Sequence, residues 1–358
     1  ESWPQTLPHI RDVQVYLPGE SAVPGVTEVV KLSSNESPLG ASPQALEAAR
    51  AVTDYGRYPD PDCLQLKDAI GARYGVAADR LVCEAGSEQL INMICRAYAG
   101  PGDEVLFPEF SFIAYRIAAQ ASGATPVTAP AKDFAGDVDA LLAAVTARTR
   151  VVFLANPNNP TGTMLLRDEI LRLRAGLPSQ VLLVLDAAYA EYVQDPAFSA
   201  GHELVSDAQP NTVVTHTFSK LHGLAALRIG WAHCPAPVLD ALERLRGVFV
   251  VGATAQAAAV AALADSAHQQ QCIAHNQQWL EWLTQELTAL GIRVLPAHGN
   301  FVCLDFPDAQ ACAGADLALR RSGLITRTLK EYGMPAQLRI TVGLEAHNRR
   351  VVEALAAR

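Results

Sequence analysis

The sequence predicts an α/β protein with two parts: a large domain whose mostly parallel seven-stranded sheet is sandwiched by helices, and a smaller α+β domain. From about residue 43 to 250, short apolar runs alternate with helical patterns. Strands that are apolar on both sides are typical of parallel sheets covered by helices on both faces. After about 255 a long polar, alanine-rich helix and short strands follow. We expect an N-terminal arm (1–42) packed with the small domain, a large domain (43–255) and a small domain (256–358).

Each predicted element has a local signal. Apolar runs predict the seven strands of the large sheet at 80–85, 103–108, 124–130, 150–156, 181–186, 212–218 and 228–234. Helical patterns lie between several of them, as at 87–98 and 167–177. In the small domain the long helix ends at Gly291, a good helix stop. Strands are expected at 292–296, 300–306 and 337–343, and a last helix at 347–357.

Composition excludes several classes of protein. The 358 residues carry a formal net charge of −9, which argues against nucleic acid as the main partner. Seven cysteines form no C-x-x-C pair, and no histidine pair has ligand spacing near an acid, so we expect neither a disulfide framework nor a metal site. The N-terminus does not begin with Met and has no secretory signal pattern, and no stretch is long and apolar enough to span a membrane. A cytoplasmic protein is expected.

Polar residues follow several of the predicted strands, at the sheet edge where α/β proteins bind ligands. Gly86, Ser87 and Glu88 stand between a strand and a helix, where free N–H groups bind phosphate, although Ser87 is also a good helix cap. The segment "ANPNNPTG" (155–162) has two Asn-Pro steps and a Thr-Gly step, which indicate either a rigid connector or a ligand-binding turn.

Two further strand ends carry groups that could contact a ring. Asp186 ends an apolar strand, so its carboxylate needs a cationic partner or several hydrogen bonds, unless it merely caps the next segment of the chain. Tyr189 lies three residues later and could point the same way. Phe110 follows the strand at 103–108; a lone phenylalanine usually belongs to the core, but this one could stack on a flat ligand.

The segment "HTFSKLHGLAALRIGW" (216–231) contains one lysine and one arginine among apolar or small residues. A lysine in an apolar pocket has a lowered pKa and is available as a nucleophile toward a carbonyl. An arginine beside two hydroxyls binds phosphate well. Lys220, Arg228, Thr217 and Ser219 supply these groups, although a lone lysine can also snorkel to the surface. Together with the other strand ends, they match the needs of pyridoxal 5′-phosphate.

The motifs "NPNNPTG", "DAAY" and "SKLHGLAALR" in this order make the chain resemble the fold-type I pyridoxal-phosphate aminotransferases, and most of all the histidinol-phosphate aminotransferase group, from about Tyr16 to the C-terminus. The resemblance implies that Lys220 forms the Schiff base, Asp186 pairs with the ring nitrogen, Phe110 stacks on the ring, and Asn159 with Tyr189 binds the phenolic oxygen. The implied phosphate-binding residues are Gly86, Ser87, Glu88, Thr217, Ser219 and Arg228, with Tyr58 reaching in from the other subunit of a homodimer.

The resemblance also implies a substrate pocket. Arg339 stands where the family binds the α-carboxylate, and Asn300 and Asn35 line the same pocket. Arg327 and Tyr16 match positions that contact the distal phosphate of histidinol phosphate. The implied reaction is transamination between histidinol phosphate, or a related amine, and 2-oxoglutarate, in histidine biosynthesis.

Alternatives to this function remain open at the sequence level. Aromatic amino acid aminotransferases and decarboxylases of the threonine-phosphate type share the pattern, and the cofactor domain of a transcriptional regulator is a more distant alternative. The chain departs from the family at Ala187, at Glu88-Gln89 and at Glu20, which follows Pro18-Gly19 where the family usually has lysine. The last departure lies beside the expected substrate entrance.

Overall fold

The structure is a computed structural model that describes residues 3–16, 20, 22, 25 and 28–358. Its strands are β1 (Val30–Lys31), β2 (Leu81–Glu84), β3 (Glu104–Pro108), β4 (Thr125–Ala129), β5 (Thr149–Ala155), β6 (Leu182–Asp186), β7 (Thr212–Thr217), β8 (Gly230–His233), β9 (Arg293–Val294), β10 (Phe301–Asp305), β11 (Leu324–Ile325), β12 (Arg327–Leu329) and β13 (Met334–Thr341). Its helices are α1 (Pro43–Ala51), α2 (Leu64–Tyr74), α3 (Ser87–Tyr98), α4 (Ile113–Ala121), α5 (Val138–Ala144), α6 (Arg167–Gly176), α7 (Ala236–Glu243), α8 (Ala253–Ala264), α9 (Ser266–Ala289), α10 (Ala309–Arg321) and α11 (Glu345–Ala356).

The seven predicted strands of the large domain all form, and they make one sheet in the order β2-β8-β7-β6-β5-β3-β4. Strand β8 runs antiparallel to both of its neighbours; the other pairs are parallel. Alternate residues of β5 face opposite sides: Val151 and Phe153 pack toward α3 and α4, whereas Val152 and Leu154 pack toward α5 and α6. The interior strands are therefore buried on both faces, which explains their continuous apolar runs, whereas the edge strand β4 is partly exposed. The architecture confirms the predicted fold class.

The small domain has a four-stranded antiparallel sheet in the order β12-β13-β10-β9, packed on α9, α10 and α11. The N-terminal segment contacts both domains. Strand β1 pairs with β11, and Leu32 enters the small-domain core. A short 3₁₀ helix, Pro8–Asp12, instead lies near α4 of the large domain, and the Gln14 N–H donates to Gln120 Oε1 at 3.0 Å.

The domain boundary that we expect at 255/256 lies inside helix α8. The alanines of this helix, among them Ala255, Ala258 and Ala259, pack into one cluster with Phe218 and Trp231 of the large domain. The small side chains let α8 lie close to α1 and α2, and a boundary at 255 would cut through this helix. We propose that the boundary falls between α8 and α9, where Asp265 caps α9.

A chain of three hydrogen-bonded histidines lies in the large domain. His202 contacts His233 at 3.1 Å (Nδ1 to Nδ1) and His216 at 3.0 Å (Nε2 to Nε2), and His216 Nδ1 lies 2.9 Å from Glu191 Oε1. Burial lowers the pKa of His202 to about 2 and that of His233 to about 4. Burial also lowers the pKa of His222 to about 4; neither of its ring nitrogens has a hydrogen-bond partner among the described residues.

The lowered pKa values of His202, His222 and His233 predict that the protein loses stability below about pH 6.5. The unfolded chain protonates them near their ordinary pKa of 6.5, whereas the folded chain keeps them neutral, so the free energy of unfolding falls as the pH falls toward 4. We expect a loss of about 1 kcal/mol per histidine per pH unit. Thermal unfolding at pH 7.5 and 5.5 measures it, and His222→Phe should weaken the dependence. An unfolding temperature that rises on acidification would contradict this expectation.

Candidate active site

A cavity of about 230 Å³ lies at the carboxyl ends of β5, β6 and β7, between the large and small domains. Most of the residues singled out in the sequence line it: Tyr16, Asn35, Ser87, Glu88, Asn159, Asp186, Tyr189, Thr217, Ser219, Lys220, Arg228, Arg327 and Arg339. They come from segments more than 300 residues apart along the chain. The parallel sheet brings the ends of β5, β6 and β7 to one edge, and the small domain adds Arg327 and Arg339.

Lys220 follows β7 and projects into the cavity, where its Nζ donates to the Ser34 carbonyl oxygen at 2.9 Å. Burial, and then the positive charge of Arg339, lower its pKa to about 7. A large fraction of this amine is therefore neutral at physiological pH. A neutral amine is the form that attacks a carbonyl carbon.

The groups expected to bind phosphate gather at one side of the cavity. Arg228 donates from Nη1 to Ser219 Oγ at 3.1 Å, and the Ser219 N–H donates to Thr217 Oγ1 at 3.1 Å. Gly86 has a φ of +95° and precedes α3; a Cβ there would lie 2.6 Å from Arg228 Nη2. Only glycine therefore allows the guanidinium to lie against the start of α3, where N–H groups have no acceptor within the helix. Ser87 adds a side chain at the same helix start.

Asp186 ends β6, and its carboxylate is buried. Tyr115 Oη donates to Asp186 Oδ2 at 2.7 Å, and Thr215 Oγ1 donates to Oδ1 at 3.4 Å. Burial raises the pKa of Asp186 above its ordinary value, and the hydrogen bonds from Tyr115 and the Ala188 N–H oppose part of that rise. A cation inside the cavity would favour the ionised carboxylate further.

Four residues on the other wall form hydrogen-bonded pairs. Asn35 Nδ2 donates to Tyr189 Oη at 2.8 Å, and Asn159 Oδ1 accepts from Arg339 Nη1. Arg339 Nη2 donates to the Ser33 carbonyl at 2.6 Å, whereas its Nε has no partner in the described part of the chain. Burial raises the pKa of Tyr189 to about 12, so its hydroxyl stays protonated.

The small domain and the N-terminal segment line one end of the cavity. Arg327 is buried, donates from Nη2 to Glu331 Oε2 at 2.9 Å, and lies 6.0 Å from the centre of the Tyr16 ring. Tyr332 lines the cavity beside them. This end combines a guanidinium with two phenols.

Phe110, which was expected to stack on a ring, is not among the residues that line the cavity. It has a φ of +58°, and its ring lies 5.5 Å from the Phe134 ring, against a cluster that contains Leu295 and Met334. Phe112, two residues later, lines the cavity.

We predict that Phe112, and not Phe110, contacts a bound aromatic ring. Phe112→Ala should weaken the binding of pyridoxal 5′-phosphate by roughly 10-fold, because a stacked aromatic pair contributes about 1 kcal/mol beyond its buried area. Phe110→Ala should lower the unfolding temperature and leave cofactor affinity near the wild-type value. Fluorescence titration of both variants measures this; an equal loss in the two, or a loss confined to Phe110→Ala, would show the assignment to be wrong.

Tyr58 and Asn300 are two further predicted site residues that do not line the cavity. Tyr58 is 80% exposed, and its ring stacks on Phe249 with the centroids 4.4 Å apart. Asn300 is buried behind the wall and donates from Nδ2 to the Asn35 carbonyl at 2.9 Å, so it supports Asn35. Pro18 and Gly19 lie outside the described residues, whereas Glu20 forms an ion pair with Arg320 of α10.

Several cavity residues received no role from the sequence. They are Ser33, Ser34, Glu36, Phe112 and Tyr332. The motif "LSSNESP" could have pointed to the first three, since Asn35 lies within it. Among the described residues no cluster of histidine, cysteine or acidic side chains could hold a metal ion, and no helix is long and apolar enough to cross a membrane.

Comparison with known proteins identifies the family of this chain. The family model for "aminotransferase class I and II" matches residues 27–355. The chain belongs to this family. Membership confirms the predicted resemblance, pyridoxal 5′-phosphate as the cofactor, and transamination as the activity.

Individual relatives are also similar over nearly their whole length. The histidinol-phosphate aminotransferase of Paramagnetospirillum magneticum is 52% identical, covering 98% of both chains, and that of Rhodopseudomonas palustris (strain BisB18) is 49% identical, covering 99% of this chain and 98% of the relative. The crystal structure of the Sinorhizobium meliloti histidinol-phosphate aminotransferase with pyridoxal 5′-phosphate superimposes with a TM-score of 0.91 at 27% identity, covering 99% of this chain and 98% of that one.

Proposed function

We propose that this aminotransferase uses histidinol phosphate as its amino donor and 2-oxoglutarate as its acceptor, in histidine biosynthesis. The observation that carries the proposal is the presence of two guanidinium groups in one cavity: Arg339 beside Asn159, and Arg327 beside Tyr16. A substrate with an anion far from its amine would engage Arg327. Relatives about 50% identical that are histidinol-phosphate aminotransferases support the same donor.

The residues of the cavity fit the cofactor. Lys220 offers an amine of lowered pKa, and Asp186 offers a buried carboxylate. Gly86 has no Cβ, so the Arg228 guanidinium lies close to the backbone at the start of α3. The N–H groups of the helix start and the guanidinium together suit a phosphate. We propose that Lys220 holds the aldehyde carbon, that Asp186 holds the ring nitrogen, and that Ser87, Thr217, Ser219 and Arg228 hold the phosphate.

Lys220 has the central catalytic role in this proposal. Pyridoxal 5′-phosphate, when bound, supplies a ring that takes up the electron pair left on the substrate α-carbon. Lys220 acts as the general base that removes the proton from the α-carbon, and it then delivers that proton, as an acid, to the carbon that was the aldehyde carbon of the cofactor. Its pKa of about 7 suits both directions, because proton transfer is most effective when the pKa of the group is close to the working pH.

The remaining residues act by orientation. Asp186 holds a proton on the ring nitrogen, and Asn159 and Tyr189 donate hydrogen bonds to the phenolic oxygen. Arg339 binds the carboxylate of glutamate or 2-oxoglutarate through two N–H groups. Histidinol phosphate has no carboxylate, so this pocket must also accept an alcohol, with Arg327 and Tyr16 binding the distal phosphate.

Product analysis tests the proposed function. With histidinol phosphate and 2-oxoglutarate, the loaded enzyme should form glutamate in equal amount to the donor consumed, with no carbon dioxide. Release of carbon dioxide from threonine phosphate without a keto acid would favour a decarboxylase. A higher kcat/KM for phenylalanine or tyrosine than for histidinol phosphate would favour an aromatic aminotransferase.

We further propose a homodimer in which Tyr58 completes the site of the other subunit. The Tyr58 side chain is largely exposed, and Tyr55, Leu64 and Val248 are likewise more than 60% exposed. Exposed large apolar side chains of this kind indicate an interface. A second copy of this chain would cover them and bring Tyr58 to the phosphate end of a neighbouring cavity.

Mixing two inactive variants tests this arrangement. Tyr58→Ala and Lys220→Ala homodimers each have defective sites, whereas a mixed dimer contains one site with both Tyr58 and Lys220. Activity should therefore appear on remixing and reach roughly a quarter of the wild-type value at equal mixing. If the unfolded and refolded mixture shows only the average of the two parents, Tyr58 does not act across subunits.

A cytoplasmic location is part of the same proposal. All seven cysteines are free and buried, and free thiols are the common state in a reducing compartment.

A further inference from the structure

Tyr115 is a fully buried residue of α4 to which the sequence assigned no role. Its hydroxyl donates to Asp186 Oδ2 at 2.7 Å, whereas the other side-chain donor, Thr215, lies 3.4 Å from Oδ1. Tyr115 therefore makes the shorter of the two side-chain hydrogen bonds to this carboxylate. The contact joins positions 71 residues apart along the chain.

The ring of Tyr115 is held by aromatic neighbours. It stacks on Phe153 of β5, with the centroids 4.7 Å apart and the planes within 5°. Its edge meets Phe112 at 5.9 Å, with the planes at 87°. Both geometries are favourable for aromatic pairs. One rigid side chain therefore touches the carboxylate at the end of β6 and the aromatic residue that lines the cavity.

The hydrogen bond itself favours a neutral phenol that donates and an ionised carboxylate that accepts. Burial, and then the neighbouring negative charge of Asp186, raise the pKa of Tyr115 well above its ordinary value, so the hydroxyl remains a donor. The same hydrogen bond lowers the pKa of Asp186 against the effect of burial. Other groups that act on Asp186 are Thr215, the Ala188 N–H and the charge of His216.

We propose that Tyr115 is a positioning residue that keeps Asp186 ionised and directed at the ring nitrogen of the bound cofactor, and that it sets the place of Phe112. This proposal depends on one part of the proposed function, namely that the cavity binds pyridoxal 5′-phosphate. Tyr115 acts through Asp186, so its effect should depend on the presence of a nitrogen in the ring.

A cofactor analogue in which the ring nitrogen is replaced by C–H separates this role from a structural one. Tyr115→Phe keeps the ring and its packing and removes only the hydroxyl. We expect the variant to bind pyridoxal 5′-phosphate roughly 10-fold more weakly than the wild type, since hydrogen bonds to charged groups are stronger than neutral ones. The variant and the wild type should bind the deaza analogue equally. Tyr98→Phe, a partly buried tyrosine of α3, is the matched control and should change neither affinity.

A second readout follows the proton on the ring nitrogen directly. With ¹⁵N-labelled cofactor, the nitrogen chemical shift should show a lower apparent pKa of the ring nitrogen in Tyr115→Phe than in the wild type. Equal losses of affinity for the two cofactors, or an unchanged nitrogen titration, would overturn the proposal. If the wild type binds neither compound, the proposed function itself fails, which is a different result.

Discussion

Lys220→Ala is expected to lower the rate of transamination by more than about 10⁴-fold, because it removes both the covalent attachment of the cofactor and the general base. The visible absorbance of the covalently bound cofactor should disappear, while phosphate-end contacts from Arg228 and Ser219 still retain some cofactor. Borohydride reduction of the wild type, followed by peptide mapping, should find the cofactor on Lys220. The variant should carry none.

Lys67→Ala is the matched control for this loss. Lys67 pairs with Glu243 at 3.6 Å and does not line the cavity, so its removal should leave the turnover near the wild-type value. A Lys220→Ala enzyme that transaminates at a normal rate, or a reduced adduct on another lysine, would contradict the assignment.

Arg339→Lys should slow one half-reaction much more than the other. Lysine keeps the positive charge and loses the planar fork that binds a carboxylate with two N–H groups. We expect kcat/KM for glutamate and 2-oxoglutarate to fall roughly 100-fold. The half-reaction with histidinol phosphate, which has no carboxylate, should change much less. Stopped-flow measurement of each half-reaction gives the ratio of the loss with glutamate to the loss with histidinol phosphate.

The ratio is the decisive quantity because Arg339 also contacts Asn159 and the Ser33 carbonyl, and any disturbance of these groups slows both half-reactions alike. Arg293→Lys is the control: Arg293 is exposed and pairs with Asp305 and Asp133. Equal losses for both donors would mean that Arg339 serves the cavity wall and does not select carboxylates.

The large sheet was predictable because each of its strands has its own local pattern. A strand buried on both faces shows a continuous apolar run wherever it stands in the sheet, and all seven such runs form strands. The strands β1, β11 and β12 were not predicted. They have two or three residues each, and their pairing depends on partners far along the chain, as with Val30 and Leu324.

The cavity was predictable where a residue follows a strand or belongs to a motif, as with Asp186, Lys220 and Arg228. It was not predictable where the backbone turns or where one side chain meets another across the fold. Phe112 lines the cavity, whereas Phe110, which has a positive φ, is not among the lining residues. Tyr115 resembles any buried core tyrosine in the sequence, and only the packing of α4 against the sheet brings it to Asp186.

The amino donor is the central claim, and a single-turnover half-reaction tests it most directly. The pyridoxal form of the enzyme is mixed with histidinol phosphate, phenylalanine or glutamate, without any keto acid, while conversion of the visible band to that of pyridoxamine phosphate is followed. We predict that histidinol phosphate and glutamate convert the band fully and that phenylalanine does so much more slowly. Full conversion by phenylalanine with none by histidinol phosphate would contradict the claim.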